Sequence, residues 1–244
     1  FLSFAAKYLG YTVKLLTVRG LHISAEETAE AVQWAQDNGF EMELLDLNPL
    51  QMKAVEFNHT DRCYFCKKHL FLELKRRAAD LPLCDGTNHS DLSHYRPGLK
   101  ALSELKIHSP LAEAEFSKQD NREVGALIGL DHWDQAARPC MLTRLPYNQK
   151  VLASDLTALG ETETAMNRFF AGLNKGEIRF RLRKVSPEAF EMHIQREDFK
   201  RLSEEERTEA EHLLASFPLF ASAQWKPMEK LSGYFDRLLG QKAH

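Results

Sequence analysis

The stretch from residue 12 to residue 47 constrains the fold more than any other. Thr12-Val13-Lys14-Leu15-Leu16-Thr17-Val18 is β-branched and apolar, which suits a buried strand. Ser24 predicts a helix start, with Glu27 three residues on completing a capping box, and Asn38-Gly39 predicts its end. Residues 41–47 read as a second strand. Strand, helix and strand at these lengths imply a right-handed crossover and a parallel sheet. Residues 1–10 read as the preceding crossover helix, already under way at Phe1 with no cap; the first methionine is Met42. The expectation is that a first strand and its following loop lie before residue 1.

The alternation continues with a helix over 64–79 and a short strand over 81–84, then a loop-rich stretch through Arg96-Pro97-Gly98. Another helix is predicted over 117–128, with Asp120 three places after Ser117 and Gly129 just past its end. Pro139 and Pro146 bracket a segment too irregular for either period. After Tyr147 come a long helix and a hairpin. Ile178, Phe180 and Leu182 alternate with Arg179, Arg181 and Arg183; across Ser186-Pro187-Glu188, Phe190, Met192 and Ile194 alternate with Glu191, His193 and Gln195. That pattern predicts an antiparallel pair with one apolar and one polar face. A charged helix over 203–215 follows. The expected fold is α/β: a parallel-sheet, Rossmann-like part over 1–145 and a smaller α+β part over 146–244.

Composition agrees and excludes several classes. With 244 residues, 43% of them hydrophobic, the chain can bury a real core in one large or two smaller domains and is not disordered. A net charge of −3 and a pI near 6.4 give no global basic field, so whole-surface attraction to nucleic acid is not expected. No apolar run approaches the ~20 residues of a membrane helix and no signal peptide opens the chain, so a soluble, cytoplasmic protein is expected.

Cysteine is the most informative residue type. Cys63-Tyr64-Phe65-Cys66 places a C-x-x-C at a helix start, where both sulfurs can share a side and the N-terminus favours thiolate. A single such motif is ambiguous among disulfide, redox dithiol and metal half-site, and no second one exists to complete a zinc ribbon. Cys140, in the proline-flanked segment, is the natural third ligand; the plain alternative is three reduced structural cysteines. Cys84 closes an apolar strand and reads as structural. The run Asp85-Gly86-Thr87-Asn88 after that strand would put a carboxylate at the carboxyl end of a parallel sheet, where such sheets bind ligands and where Mg²⁺ could sit beside phosphates. An ordinary Asx/Gly turn is the alternative. Arg179, Arg181 and Arg183 on one strand face could grip phosphate, or form a solvated face paired with Glu177 or Glu191. None of the ten histidines lies in a metal-ligand pattern.

In this order, several blocks carry a family resemblance. They are Thr17-Val18-Arg19, Asp61-Arg62-Cys63-Tyr64-Phe65-Cys66-Lys67, Asp85-Gly86-Thr87-Asn88, Tyr95-Arg96-Pro97-Gly98, Ser109-Pro110-Leu111-Ala112-Glu113, Cys140-Met141-Leu142-Thr143-Arg144-Leu145-Pro146-Tyr147 and Arg179-Phe180-Arg181. Together they resemble the LarE-type, ATP-dependent sulfur transferases of nickel-pincer nucleotide biosynthesis, within the PP-loop (N-type ATP pyrophosphatase) superfamily. The resemblance implies adenylation of a carboxylate on a pyridinium dicarboxylate mononucleotide, release of pyrophosphate, and replacement of the carboxylate oxygen by sulfur, with ATP and Mg²⁺. By matching position, Thr17, Val18 and Arg19 would lie against the adenosine, and Asp85, Thr87 and Asn88 near the nucleotide. Arg144 would lie near the reacting centre, and Arg179 and Arg181 would hold substrate phosphate.

Family members differ in sulfur source. Some sacrifice one cysteine, at the position of Cys140; others use three cysteines to hold a [4Fe–4S] cluster carrying an extra sulfide. With Cys63, Cys66 and Cys140 all present, the resemblance favours the cluster. The superfamily's Ser-Gly-Gly-x-Asp-Ser phosphate loop is absent from the 244 residues; alignment ends it just before Phe1, so it is expected upstream. A homo-oligomer with a small-molecule nucleotide substrate is expected. The alternatives are a PP-loop enzyme thiolating a tRNA base, or a nucleotide-binding relative without catalysis.

Overall fold

The computed structural model describes residues 1–93, 97–135 and 138–240; the Tyr95-Arg96 half of one family block lies outside the described residues. The chain begins with helix α1 (Leu2–Tyr8), strand β1 (Lys14–Arg19), helix α2 (Ala25–Asp37) and strand β2 (Glu41–Asp46). The two strands pair in parallel from Lys14 opposite Glu41 to Arg19 opposite Asp46, as the alternation predicts. Ser24 caps α2 by accepting from the Glu27 N–H at 3.1 Å. Only half of the expected capping box forms, because the Glu27 side chain lines a cleft instead of returning to the cap. Gly39 follows α2 at φ +63°, a left-handed turn suited to glycine.

Helices α3 (Lys53–Glu56) and α4 (Arg62–Ala78) come next, then α5 (His89–Leu92), α6 (Pro97–Leu105), α7 (Pro110–Glu113) and α8 (Lys118–Leu127). Two expectations are corrected here. The strand over 81–84 shrinks to one bridge, Cys84 with His108, because it finds a single short partner and leaves Leu81 64% exposed. The loop-rich stretch is helical from Pro97 onward: proline presets φ at the first helical position, and Ala101 and Leu102 bury a face as α6 packs on α4. Gly98 allows that approach, since a Cβ there would come within 2.6 Å of the Lys67 side chain. Ser117 and Asp120 form a complete capping box on α8.

The C-terminal region holds α9 (Ala153–Gly172), β3 (Phe180–Ser186), β4 (Ala189–Gln195), α10 (Arg196–Arg201), α11 (Glu204–Ala215), β5 (Gln224–Met228) and α12 (Tyr234–Leu238). Strands β3 and β4 form the predicted antiparallel pair, with Leu182 opposite Met192. Strand β5 adds in parallel to β4 and has no counterpart in the sequence reading; its Pro227 suits only an edge strand and masks the pattern. Leu156, Leu159, Met166 and Phe170 of α9 pack with Phe180, Leu182, Met192 and Ile194 into one buried cluster, which also takes in Val55, Cys66, Met141 and Leu142. The hairpin's polar face is not solvated as expected. Arg183 and His193 are buried on it, under the Tyr234 ring, whose centroid is 4.4 Å from that of His193. The whole is a mixed α/β structure with a parallel pair in the N-terminal region and a second sheet in the C-terminal region. Among the described residues, no helix is long and apolar enough to cross a membrane.

Candidate functional site

Two clefts meet at the segment around Cys140. The first, of about 740 Å³, lies over the carboxyl ends of β1 and β2 and the first turn of α2, lined by Arg19, Ser24, Thr28, Asp46, Met141 and Gly160. Parallel sheets bind ligands at this end. Its floor depends on a close approach: a Cβ on Gly20 would collide with the carbonyl oxygen of Leu47, whose N–H extends the ladder to Arg19 at 3.0 Å. Arg19 closes the rim with a bidentate pair to Asp46, at 2.5 and 2.7 Å, which holds the Asp46 carboxyl below its ordinary range. Thr17 and Val18 precede it, half-buried within β1.

The second cleft, of about 590 Å³, is lined by Glu27, Arg138, Arg144, Glu163, Arg179 and Arg181, and shares Met141 and Gly160 with the first. Arg144 is its fixed point. Its guanidinium donates to both oxygens of Glu163, at 3.1 and 2.8 Å, and to the Pro139 carbonyl and Thr143 hydroxyl at 2.9 Å each. Glu163 also accepts the Leu182 N–H at 2.9 Å, so a buried ion pair joins α9, β3 and the Cys140 segment. The Met141 N–H donates to the His22 carbonyl at 2.9 Å, tying that segment to the loop entering α2. Burial pushes Glu27 above the usual carboxylate range, against the pull of Arg138 and Arg144.

Of the three candidate cysteines, Cys66 belongs to the buried cluster and Cys140 packs against it. Cys63 and Cys66 occupy the first turn of α4, the former exposed and the latter buried; Cys140 is half-buried before the turn Met141–Arg144. Burial pushes the Cys66 thiol up to about 12 and the Cys140 thiol up to about 11; Cys140 and Cys63 add to the first shift and Cys63 to the second. Desolvation therefore outweighs the thiolate preference expected of a helix N-terminus. Among the described residues, no three His, Cys, Asp or Glu side chains stand ready around a single metal ion.

The other predicted residues fall elsewhere. Asp85, Thr87 and Asn88 line neither cleft. Asp85 accepts from the hydroxyls of Thr87 and Ser109, both at 2.6 Å, in an Asx turn. Arg179 is tied to Asp198, its Nε 2.7 Å from Oδ2, rather than to Glu177 or Glu191. The sequence reading gives no site role to Glu163, Glu27, Arg62 or His193, of which only Arg62 carries a signal, its place beside the C-x-x-C; Arg183 it names among three arginines that could grip phosphate, and the structure buries that arginine against His193.

No protein-family profile matches the chain. It is similar to an uncharacterized protein of Synechocystis sp., 34% identical over 174 residues, covering 70% of this chain and 64% of that one. An uncharacterized protein of Methanocaldococcus jannaschii is 31% identical over 140 residues, 56% of this chain and 53% of the relative. The pyridinium-3,5-bisthiocarboxylic acid mononucleotide synthase of Lactiplantibacillus plantarum is 34% identical over 125 residues, 50% of this chain and 45% of the synthase. The chain thus spans between 45% and 64% of the length of these relatives.

Proposed function

We propose that the chain is an ATP-dependent sulfur transferase of nickel-pincer cofactor biosynthesis, adenylating a carboxylate of a pyridinium dicarboxylate mononucleotide and replacing its oxygen with sulfur. The observation that carries this is the Cys140 segment, clamped by Arg144–Glu163 between two clefts, in a chain similar to a synthase of a thiocarboxylated pyridinium mononucleotide. Residues 1–145 would form the nucleotide-binding part and 146–244 a substrate and oligomerisation part.

In this reading the first cleft takes the nucleotide, with Thr17, Val18 and Arg19 toward the adenosine. The second takes the mononucleotide, Arg181 and Arg179 meeting its phosphate and Arg144 holding Cys140 at the reacting carboxyl. AMP leaves where oxide would not, and the preset guanidiniums stabilise charge developing during the transfer. For Asp85, Thr87 and Asn88, which line neither cleft, a place near the nucleotide rests on the family resemblance alone. Mg²⁺ enters such sites on the nucleotide's phosphates with one or two carboxylates, Asp85 being the candidate here.

The donor set fits an iron–sulfur cluster: three thiols within reach of each other's charge and no carboxylate among them. Held by Cys63, Cys66 and Cys140, a [4Fe–4S] cluster would supply an open iron for a transferable sulfide. The residues' own part is to release three protons on binding and to exclude water, which the burial of Cys66 favours.

The test is anaerobic incubation of the full-length protein with ATP, Mg²⁺ and the dicarboxylate mononucleotide. Pyrophosphate, AMP and a thiocarboxylate product by mass spectrometry are expected. Cys140→Ala should keep pyrophosphate release and lose the thiocarboxylate. Folded wild-type protein that yields neither product would overturn the reading.

A further inference from the structure

We propose that a third, smaller cavity, walled by Arg62, Arg183 and Ser232, binds a tetrahedral oxyanion of the phosphate class close to the cysteines. The cavity has a volume of about 140 Å³. At about 30 Å³ per water, that is room for four or five waters, enough for a phosphate-sized group and too little for a nucleoside.

Its charge is unbalanced. Arg62 and Arg183 bring two guanidiniums to it, beside one carboxylate, Asp236, whose Oδ1 already accepts from the Tyr147 hydroxyl at 2.6 Å. Arg62 and Arg183 are only 4% and 3% exposed, and neither forms an ion pair with a carboxylate among the described residues. Burying an unpaired charge is costly, so an arrangement of this kind calls for a counter-ion. Arg62 lies over the Tyr147 ring at 4.5 Å, and its one hydrogen bond to a carbonyl, that of His59, is long at 3.4 Å. Arg183 Nε is buried and has no partner. Burial and the charges of Arg144 and Arg181 lower the Arg183 guanidinium to about 9, a direction that a bound anion would reverse.

Arg183 is also held in place. Glu191 Oε2 lies 2.5 Å from His193 Nε2, and His193 Nδ1 lies 2.6 Å from Arg183 Nη1. With Nε2–H donating to Glu191, a neutral His193 presents Nδ1 as acceptor and fixes the guanidinium. Arg183 Nη2 donates to the Leu231 carbonyl. Two of the lining residues directly precede cysteines, Arg62 before Cys63 and Pro139 before Cys140. A bound anion therefore sits beside both segments that carry the cysteines.

The ligand chemistry has two sources. One is the phosphate of a mononucleotide reaching in from the second cleft, which shares Arg181, Pro139, Leu231 and Ser232 with this cavity. The other is a free oxyanion such as thiosulfate.

Equilibrium dialysis of the full-length protein with ³²P-phosphate and ³⁵S-thiosulfate tests this, and needs neither ATP nor sulfur transfer, so it fails or succeeds apart from the proposed function. Wild type should bind both anions. Arg62→Gln and Arg183→Gln should weaken binding at least tenfold, with Arg76→Gln, on the exposed side of α4, unchanged. Ser232→Asp, at an exposed position, should abolish binding without touching the buried arginines. Competition by a pyridine mononucleotide but not its nucleoside identifies the substrate's phosphate as occupant; competition by neither identifies a free anion. Absence of binding to wild type, or loss in Arg179→Gln with retention in Arg183→Gln, overturns the proposal.

Discussion

At the first turn of α4 two cysteines three residues apart meet opposite environments: Cys63 is exposed and Cys66 buried against the core. A thiol raised to about 12 is roughly 10⁻⁴ ionised at pH 8, so Cys66 is a poor nucleophile until something displaces its proton. Iodoacetamide at pH 8 should label Cys63 at least tenfold faster than Cys66, read by peptide mass spectrometry. Gly20 is a second residue whose role is purely local. Gly20→Ala must push the β1–α2 loop away from the Leu47 carbonyl, which opens the first cleft. ATP affinity of the full-length protein should fall at least tenfold, by calorimetry, with the thermal midpoint shifting by only a few degrees.

Between elements, the Arg144–Glu163 pair fastens the Cys140 turn to α9 and β3. Glu163→Ala leaves a buried guanidinium without its carboxylate and should cost about 3–5 kcal/mol, measured by urea denaturation. The β3–β4 hairpin carries a pH-dependent contact. His193 faces Arg183, Glu191, Lys226 and the Tyr234 ring, and burial lowers it to about 4 from 6.5. The unfolded chain therefore binds the extra proton between those values. Stability is whole above pH 6.5 and falls as pH drops toward 4, and Glu191, whose carboxyl is also held low, adds to the loss. Taking the chain from pH 7 to 4.5 should remove about 2–3 kcal/mol through His193, and His193→Gln should flatten that part of the urea midpoint profile.

Across the whole molecule one buried cluster runs from Val55 and Cys66 to Leu214 and Phe220, with α9 at its centre. Leu159, fully buried there, is expected to cost about 2–5 kcal/mol on replacement by alanine, measured as a urea midpoint shift. Much of this architecture was legible from local pattern. Apolar alternation, the Ser24 and Ser117 caps and Gly39 located β1, α2, β2, α8 and the hairpin, because those signals act within one turn or one strand. Strand β5 and the helix at Pro97 escaped because proline means different things at a strand edge and a helix start. The candidate site divides along the same line. Residue order alone shows which side chains are available: three cysteines in two segments, Arg144 and a run of alternating arginines. Packing alone settles that Arg144 is locked by Glu163, that Arg179 is taken by Asp198, and that Arg62 and Arg183 are buried beside one cavity with no carboxylate ion-paired to either among the described residues. Pairing and desolvation depend on which distant segments pack together, and no short-range pattern encodes that.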